Sequence, residues 1–394
     1  MNKVRYILAL LVAAAITACS NEPLGNNQNA GATDVPVYLS ANITNGDVTS
    51  RASYDNPYNT PKENYPFTAI IFASTRKGSY DWNGTDMDAS TDGTISYCDK
   101  SVTFTSGEPV LLAESIKWPS GDADFPVYFT GIYPANTSLW ATSSNSASCI
   151  IDGKTDVITS AENYGTFANH AAKAEAQLTF NHHLCKLRFR ICSESEKVTD
   201  AWGRLLKIEL INQKTKCTTT LSDGTATFGW ATADTDPEAE DNVLPLYQTG
   251  KDSRFELQYT YGNTTKTYSE YNLLTEDEKA AYTPNISEMA NMPTSATEVA
   301  YVLCPPIEIG QTTDTDGSII PDNYYTLNVY TDGGVVSFLK LNLKDTSDNT
   351  FYGNTAGKEF LITLDFVVGN KIYSSSAQIT PWKNGGQTDI EIDE

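Results

Sequence analysis

Apolar residues that recur at every second position force a pleated strand, because successive side chains of a strand point to opposite faces. The chain shows this most cleanly at Phe360, Ile362, Leu364, Phe366 and Val368. The same period returns at Phe255, Leu257, Tyr259 and Tyr261, at Ile208 and Leu210, and at Tyr325, Leu327 and Val329. The last set runs through Thr331-Asp332-Gly333-Gly334 into Leu339, Leu341 and Leu343, the pattern of a hairpin. Residues 67–73 and 125–133 are nearly continuous apolar runs, as in strands covered on both faces, and Pro134 closes the second. Helical signals are confined to residues 275–282, where Thr275 and Glu278 have capping-box spacing. The 22 tyrosines, with frequent Thr, Ser, Asn and Gly, suit half-buried sheets and turns. The reading is therefore all-β, as antiparallel β-sandwiches. A chain of 394 residues makes two cores the better expectation. Residues 135–176 read as polar and irregular, so the domains are placed at 35–177 and 178–394.

One stretch changes phase. Leu178, Phe180, His182 and Leu184 share one parity, whereas Cys185, Leu187, Phe189 and Ile191 share the other. Such a switch needs an extra residue, which predicts a β-bulge or tight break near His183. Lys186, Arg188 and Arg190 are then expected to face solvent.

The N-terminus carries a separate message. Lys3 and Arg5 precede an apolar run over residues 7–16, too short for a membrane span and suited to a signal-peptide core. Ile16-Thr17-Ala18-Cys19 resembles a bacterial lipobox, which implies removal of residues 1–18 and lipidation of Cys19, with several acyl chains holding the protein to a membrane. Residues 19–34 have almost nothing to bury and read as a flexible tether. A first strand follows over 35–43, with Val35, Val37, Leu39, Ala41 and Ile43 on one face, and then a polar segment containing Arg51 and Ala52.

The balance of 27 basic and 49 acidic side chains, net charge −22, disfavours nucleic acid as a partner. Beyond Cys19 there are six cysteines, none in a C-x-x-C pair; they are expected to be mostly buried small hydrophobes, with a bridge allowed but not assignable. His182 and His183 are adjacent on a strand and so point apart, and only His170 could assist them, which leaves no metal or catalytic site. Thr312-x-Asp314-x-Asp316-Gly317 lacks the final carboxylate of a calcium loop, since Asn323 holds that place, and reads as a turn. The acidic run 234–241 reads as a solvated loop, and no cofactor is expected. Trp82, Trp140 and Trp202 are read as core, although exposed aromatic rings could stack on sugars.

The lipobox, the Thr49-Ser50-Arg51-Ala52 segment, Trp118-Pro119, Tyr133-Pro134, the run from Leu178 to Leu187 and the closing Ala377-Gln378-Ile379-Thr380-Pro381-Trp382 occur in that order. Together they resemble the fimbrillin-like lipoproteins of Bacteroidetes over nearly the full length. The resemblance implies two tandem transthyretin-like Greek-key β-sandwiches, display at the outer membrane and cell surface, and assembly with other pilus subunits. It also implies a cut after Arg51 by an Arg-specific protease and loss of the strand bearing Val35, Val37, Leu39, Ala41 and Ile43. The vacated slot would be filled by a donor from the C-terminal region, with Ile372, Ala377, Ile379, Ile390 and Ile392 as candidate anchors. The tail after Trp382 is acidic and offers only the last two, which suits a tip or accessory subunit as well as a stalk. A tip subunit would carry a host or glycan ligand. The rival reading is a surface glycan-binding lipoprotein that feeds polysaccharide uptake.

Overall fold

In the computed structural model the described residues are 34–44, 66–82, 95–105, 108–112, 116–143, 145–172, 176–231, 242–251, 253–285, 293–313, 315, 319–321, 323–341, 343, 353–367 and 371–381. The first sheet has seven strands: β1 (Tyr38–Thr44), β2 (Phe67–Ser74), β3 (Ser96–Phe104), β4 (Val110–Leu111), β5 (Pro126–Tyr133), β6 (Ile158–Thr166) and β7 (Ala176–His182). Their order is β3-β2-β5-β6-β7-β1-β4. The edge strands β3 and β4 touch, so the sheet curls back on itself around one core. Val37, Leu39, Ile71, Phe104, Trp118, Phe129 and Phe180 meet there. Phe67 stacks on Phe104 at 5.4 Å and meets Phe180 edge-on at 5.2 Å. Gly131 makes room for that packing, since a Cβ there would stand 2.7 Å from both Ile71 and Phe180.

The second unit contains β8 (Cys185–Ser193), β9 (Leu205–Ile211), β10 (Thr297–Cys304), β11 (Tyr325–Thr331), β12 (Gly334–Leu341), β13 (Lys358–Val367) and β14 (Lys371–Pro381). One sheet runs Tyr247–Gln248, β10, β8, β13, β14; the facing sheet runs Leu244–Pro245, β9, β11, β12. Leu187, Phe189, Val302, Phe360 and Leu364 from the first sheet pack with Ile208, Leu210, Leu327 and Val329 from the second, as in a sandwich. The expected hairpin is β11–β12, and the expected capping box closes a one-turn helix, Glu276–Lys279. A second capping box, Thr267 with Glu270, starts Tyr268–Asn272 and had no counterpart in the sequence reading.

Residues 135–176 are not irregular. They contain Ala141–Ser143, Ser146–Ile150 and β6. Ser146–Ile150 pairs with Lys216–Thr220, which pairs in turn with Thr225–Gly229, so the two halves of the chain share a four-stranded sheet. Trp140, Ala147, Cys217 and Leu221 on that sheet join the core that also holds Ile70 and Phe72 of β2 and Ile132 of β5. Ile70 and Phe72 belong to the opposite parity from Ala69, Ile71 and Ala73, which explains why β2 is an unbroken apolar run: it separates two cores. Gly224 at the tip of the hairpin has φ +66°, and a Cβ would come within 2.5 Å of the Ala161 amide, so the turn seats directly on β6.

The phase change at His183 is a tight break between β7 and β8. Leu178 and Phe180 serve the first core, and Leu184, Cys185 and Leu187 serve the second. Residue 178 itself lies inside β7, six positions before Leu184. Most ladders are antiparallel as expected, but β1 pairs β7 and β8 pairs β13 in parallel. Lys186, Arg188 and Arg190 do not face open solvent. They are half-buried, because β10 and β13 flank β8 and bring Glu298 and Glu359 to the same face.

Candidate functional site: the first strand in its slot

The strand expected over 35–43 is β1 with its leading residues. Val37 and Leu39 are wholly buried, Ala41 and Ile43 nearly so, and Val35 packs half-buried against the same core. On one side β1 runs parallel to β7, with Leu39 opposite Ala176, Ala41 opposite Leu178 and Ile43 opposite Phe180. On the other side it has little. Tyr38 and Leu39 pair with the two residues of β4, and the amides of Leu112 and Trp118 donate to the carbonyls of Val37 and Val35 at 3.1 and 2.9 Å. Trp118 is wholly buried beneath the strand's entry and meets Phe167 edge-on at 6.0 Å. The arrangement is an apolar slot with one complete hydrogen-bonding wall and one fragmentary wall. Taking β1 out would expose Phe180, Leu178 and Trp118 together with an unpaired edge of β7, which is a template for another strand.

The other residues assigned to this device are dispersed. Ile372, Ala377 and Ile379 lie in β14, which pairs along β13 and completes a sheet of the second unit; Ile372 stands opposite Phe366 and is buried. Cys19, Arg51, Ala52, Ile390 and Ile392 lie outside the described residues, as does the acidic run 234–241. The calcium-like segment is a hairpin instead, with Gln311–Thr313 paired to Ile319–Pro321. Among the described residues no three His, Cys, Asp or Glu side chains are grouped to hold a metal. Trp82, Trp140 and Trp202 are buried.

The two histidines do point apart, and each finds a partner on the segment that leads into β6. His182 Nδ1 lies 2.6 Å from Asp156 Oδ2, and both side chains are buried. The other Asp156 oxygen accepts the Val157 amide at 2.8 Å. His183 Nε2 lies 2.6 Å from the Thr159 hydroxyl, which itself donates to the Gly224 carbonyl at 2.6 Å and so is left to accept from the imidazole. This clasp joins β6, the break before β8 and the hairpin of the shared sheet. Sequence reasoning missed Asp156 and Thr159, which carry no local signal, and it missed Trp118 as the floor of the slot.

Burial lowers the His183 pKa to about 4, against an upward pull from Asp156 and with a further downward push from His182. A histidine depressed from its ordinary value near 6.5 stays neutral in the fold, while the unfolded chain takes up a proton below that pH. Stability is therefore undiminished above about pH 6.5 and falls progressively toward pH 4. Going from pH 7 to pH 5 should cost about 2 kcal/mol through this one group. Urea midpoints at the two pH values measure it, and a His183→Gln chain should show a much smaller difference.

The fimbrillin-like family is matched over residues 69–299, which takes in part of each core and begins after β1. No curated protein sequence matches the chain. Among solved structures, a putative cell adhesion protein from Bacteroides uniformis ATCC 8492 is similar at 16% identity over 89% of this chain and 99% of that one, with a TM-score of 0.46. A fimbrial protein from Bacteroides vulgatus ATCC 8482 is 13% identical over 80% and 93% of the two chains, TM-score 0.37. A set of putative polysaccharide binding proteins from Bacteroides thetaiotaomicron VPI-5482 is represented at 9% identity over 91% and 98%, TM-score 0.38.

Proposed function

Since the chain belongs to the fimbrillin-like family, we propose that it is an adhesive or structural subunit of a cell-surface fimbria, assembled by replacement of β1. The single observation that carries this reading is the slot. β1 contributes a full row of buried apolar side chains, yet among the described residues its paired ladder to β4 is two residues long against six with β7. β1 and β2 are not adjacent in the sheet, so once the chain is cut at Arg51 β1 can leave without unpairing from β2.

In the sequence of events the leader is removed, Cys19 is lipidated and holds the precursor at the outer membrane, and an arginine-specific protease cuts between Arg51 and Ala52. β1 then leaves, and a strand from the C-terminal region of another subunit takes its place. In this scheme the protein acts by binding its own kind and performs no catalysis. The rival, glycan capture on exposed aromatic rings, loses Trp82, Trp140 and Trp202, which are enclosed in the core, and would rest on exposed tyrosines such as Tyr164 and Tyr261.

The test is to incubate purified precursor with an arginine-specific endopeptidase and follow it by N-terminal sequencing and by gels run without boiling. A new terminus at Ala52 together with SDS-resistant ladders is the expected outcome, and an Arg51→Ala precursor should give neither. A precursor that is never cut near Arg51, or is cut there and stays monomeric, would sink strand replacement.

A further inference from the structure

The sequence leaves the pairing of six cysteines open, and in the structure all six carry free thiols. Their placement is not scattered. Cys149 and Cys217 stand directly opposite each other in the shared sheet, where Ser146–Ile150 runs antiparallel to Lys216–Thr220. Cys185 and Cys304 stand directly opposite each other at the matched ends of β8 and β10. All four are buried. Cys304 Sγ also reaches the Cys185 carbonyl at 3.6 Å. The remaining two have no cysteine opposite, since Cys98 faces Phe72 and Cys192 faces Asp365.

Opposed residues of an antiparallel ladder hold their Cα atoms about 4.5–5.5 Å apart, within the roughly 4.4–6.8 Å that a disulfide spans. The bonds from the Ile151 amide to the Thr215 carbonyl and from the Leu221 amide to the Asn145 carbonyl fall in the same ladder, two and four residues from the first pair. That spacing makes Cys149 and Cys217 a hydrogen-bonded pair, with Cα atoms at about 5.5 Å, inside the disulfide range; their Cβ atoms stand farther apart than in a non-hydrogen-bonded pair, so closing the bridge draws the two strands together locally. We infer that these are two structural disulfide sites, Cys149–Cys217 and Cys185–Cys304, with Cys98 and Cys192 remaining thiols. The first bridge would lock the two halves of the chain together across their shared sheet. The second would pin the centre of one sheet of the second sandwich. In the cell the inference rests on the export reading, because a reducing cytosol would keep the thiols apart.

Each bridge forms by disulfide exchange. One thiolate attacks a sulfur of a disulfide-bearing oxidant, the partner thiol then displaces the mixed disulfide, and two protons and two electrons leave the pair as the oxidant becomes a dithiol. The neighbouring Cys149 and burial push the Cys217 thiol up, and burial with the neighbouring Cys185 does the same to Cys304. All four sulfurs are enclosed in the finished fold, where a bulky oxidant has no access, so oxidation belongs to folding and does not follow it.

The experiment refolds the denatured, reduced full chain in a glutathione and glutathione-disulfide buffer, then alkylates it under denaturing conditions without reductant. Intact mass should show both bridges formed, each costing two alkylations and two hydrogens. Proteolytic fragments should link Cys149 to Cys217 and Cys185 to Cys304, with Cys19, Cys98 and Cys192 alkylated. The oxidised protein should unfold at higher urea than the reduced form. A Cys149→Ala/Cys217→Ala chain should lose one bridge and keep the other, which separates pairing from a failure to fold. Alkylation of all seven thiols, Cys19 included, or a scrambled set of links, would overturn the inference whatever the fate of strand replacement. Bridges found after refolding but absent from protein taken from the cell envelope would instead count against export to an oxidising compartment.

Discussion

A chain that begins at Ala52 should leave the first sheet open, and a separate peptide of residues 35–44 should close it again. Val37, Leu39 and Ile43 are all buried in the first core. At about 1.5–3 kcal/mol for each large side chain they contribute roughly 6 kcal/mol, comparable to the whole stability of an ordinary domain. Without them, hydrogen-exchange protection should fall sharply in β7 and β5, while β11 and β13 keep much of theirs. The peptide should restore protection in both. A peptide with Leu39→Ala loses about 3 kcal/mol of packing, so it should bind roughly a hundredfold more weakly. If the shortened chain kept the protection of the full one, the slot would not need a strand and the assembly scheme would lose its motive force.

The same geometry explains how such a strand can be both tightly held and replaceable. Its affinity comes from side chains pointing into the core and from six register pairs with β7. Its second wall is β4, only two residues long, backed by isolated bonds from Leu112 and Trp118. A central strand with two complete ladders could be removed only by dismantling the sheet. β1 can be peeled from one side, and an incoming strand can pair with β7 residue by residue as it leaves.

Much of this was legible because period-2 alternation reports the local pleat directly. β1, β7, β8, β11 and β13 all lie where alternating residues placed them. What alternation cannot report is the neighbour. Nothing in Leu39 or Ile43 says that β7 lies alongside in parallel, and nothing in Ser146–Ile150 says that its partner comes from beyond residue 215. The polarity of residues 135–176 was misleading for a related reason. A strand such as β6, with the exposed Tyr164 on its outer face and a seam of Ser160, Thr159 and Asp156 within, is held by hydrogen bonds as much as by apolar burial. The phase switch at His183 was readable as a break, but its purpose, a handover between two cores, appears only when Phe180 and Leu187 are seen in different clusters.

The charged face of β8 shows the cost of reading alternation as solvent exposure, and it supplies the second large expectation. Arg188 donates through Nε to Glu298 Oε1 at 2.9 Å and through Nη1 to Glu359 Oε1 at 2.6 Å, and a further Nη2 bond completes a fork on Glu298. Lys186 Nζ adds 3.0 Å to the other Glu359 oxygen. Glu359 is only 7% exposed. Burial alone would push its carboxyl up, but Lys186 and Arg188 more than offset this and hold it below the ordinary range. Arg188→Met should cost about 3–5 kcal/mol, because it strips Glu298 of the guanidinium fork and leaves the buried Glu359 to Lys186 alone. An Arg188→Met/Glu298→Leu/Glu359→Leu chain should recover most of that loss, since apolar replacements of similar volume remove the desolvation cost as well as the attraction. The pH dependence should weaken. In the native chain the depressed Glu359 contributes stability that is complete above its unfolded pKa near 4.5 and fades as pH falls through its folded value. In Arg188→Met only Lys186 still opposes burial, so the folded pKa moves up toward the unfolded one and acidification costs the variant less than the native chain. The difference in urea midpoint between variant and native chain should therefore shrink from pH 7 to pH 4.5. The His183 contribution is common to both chains and cancels in that difference. A gap that stays constant or widens on acidification would show that Glu359 is not held by Arg188.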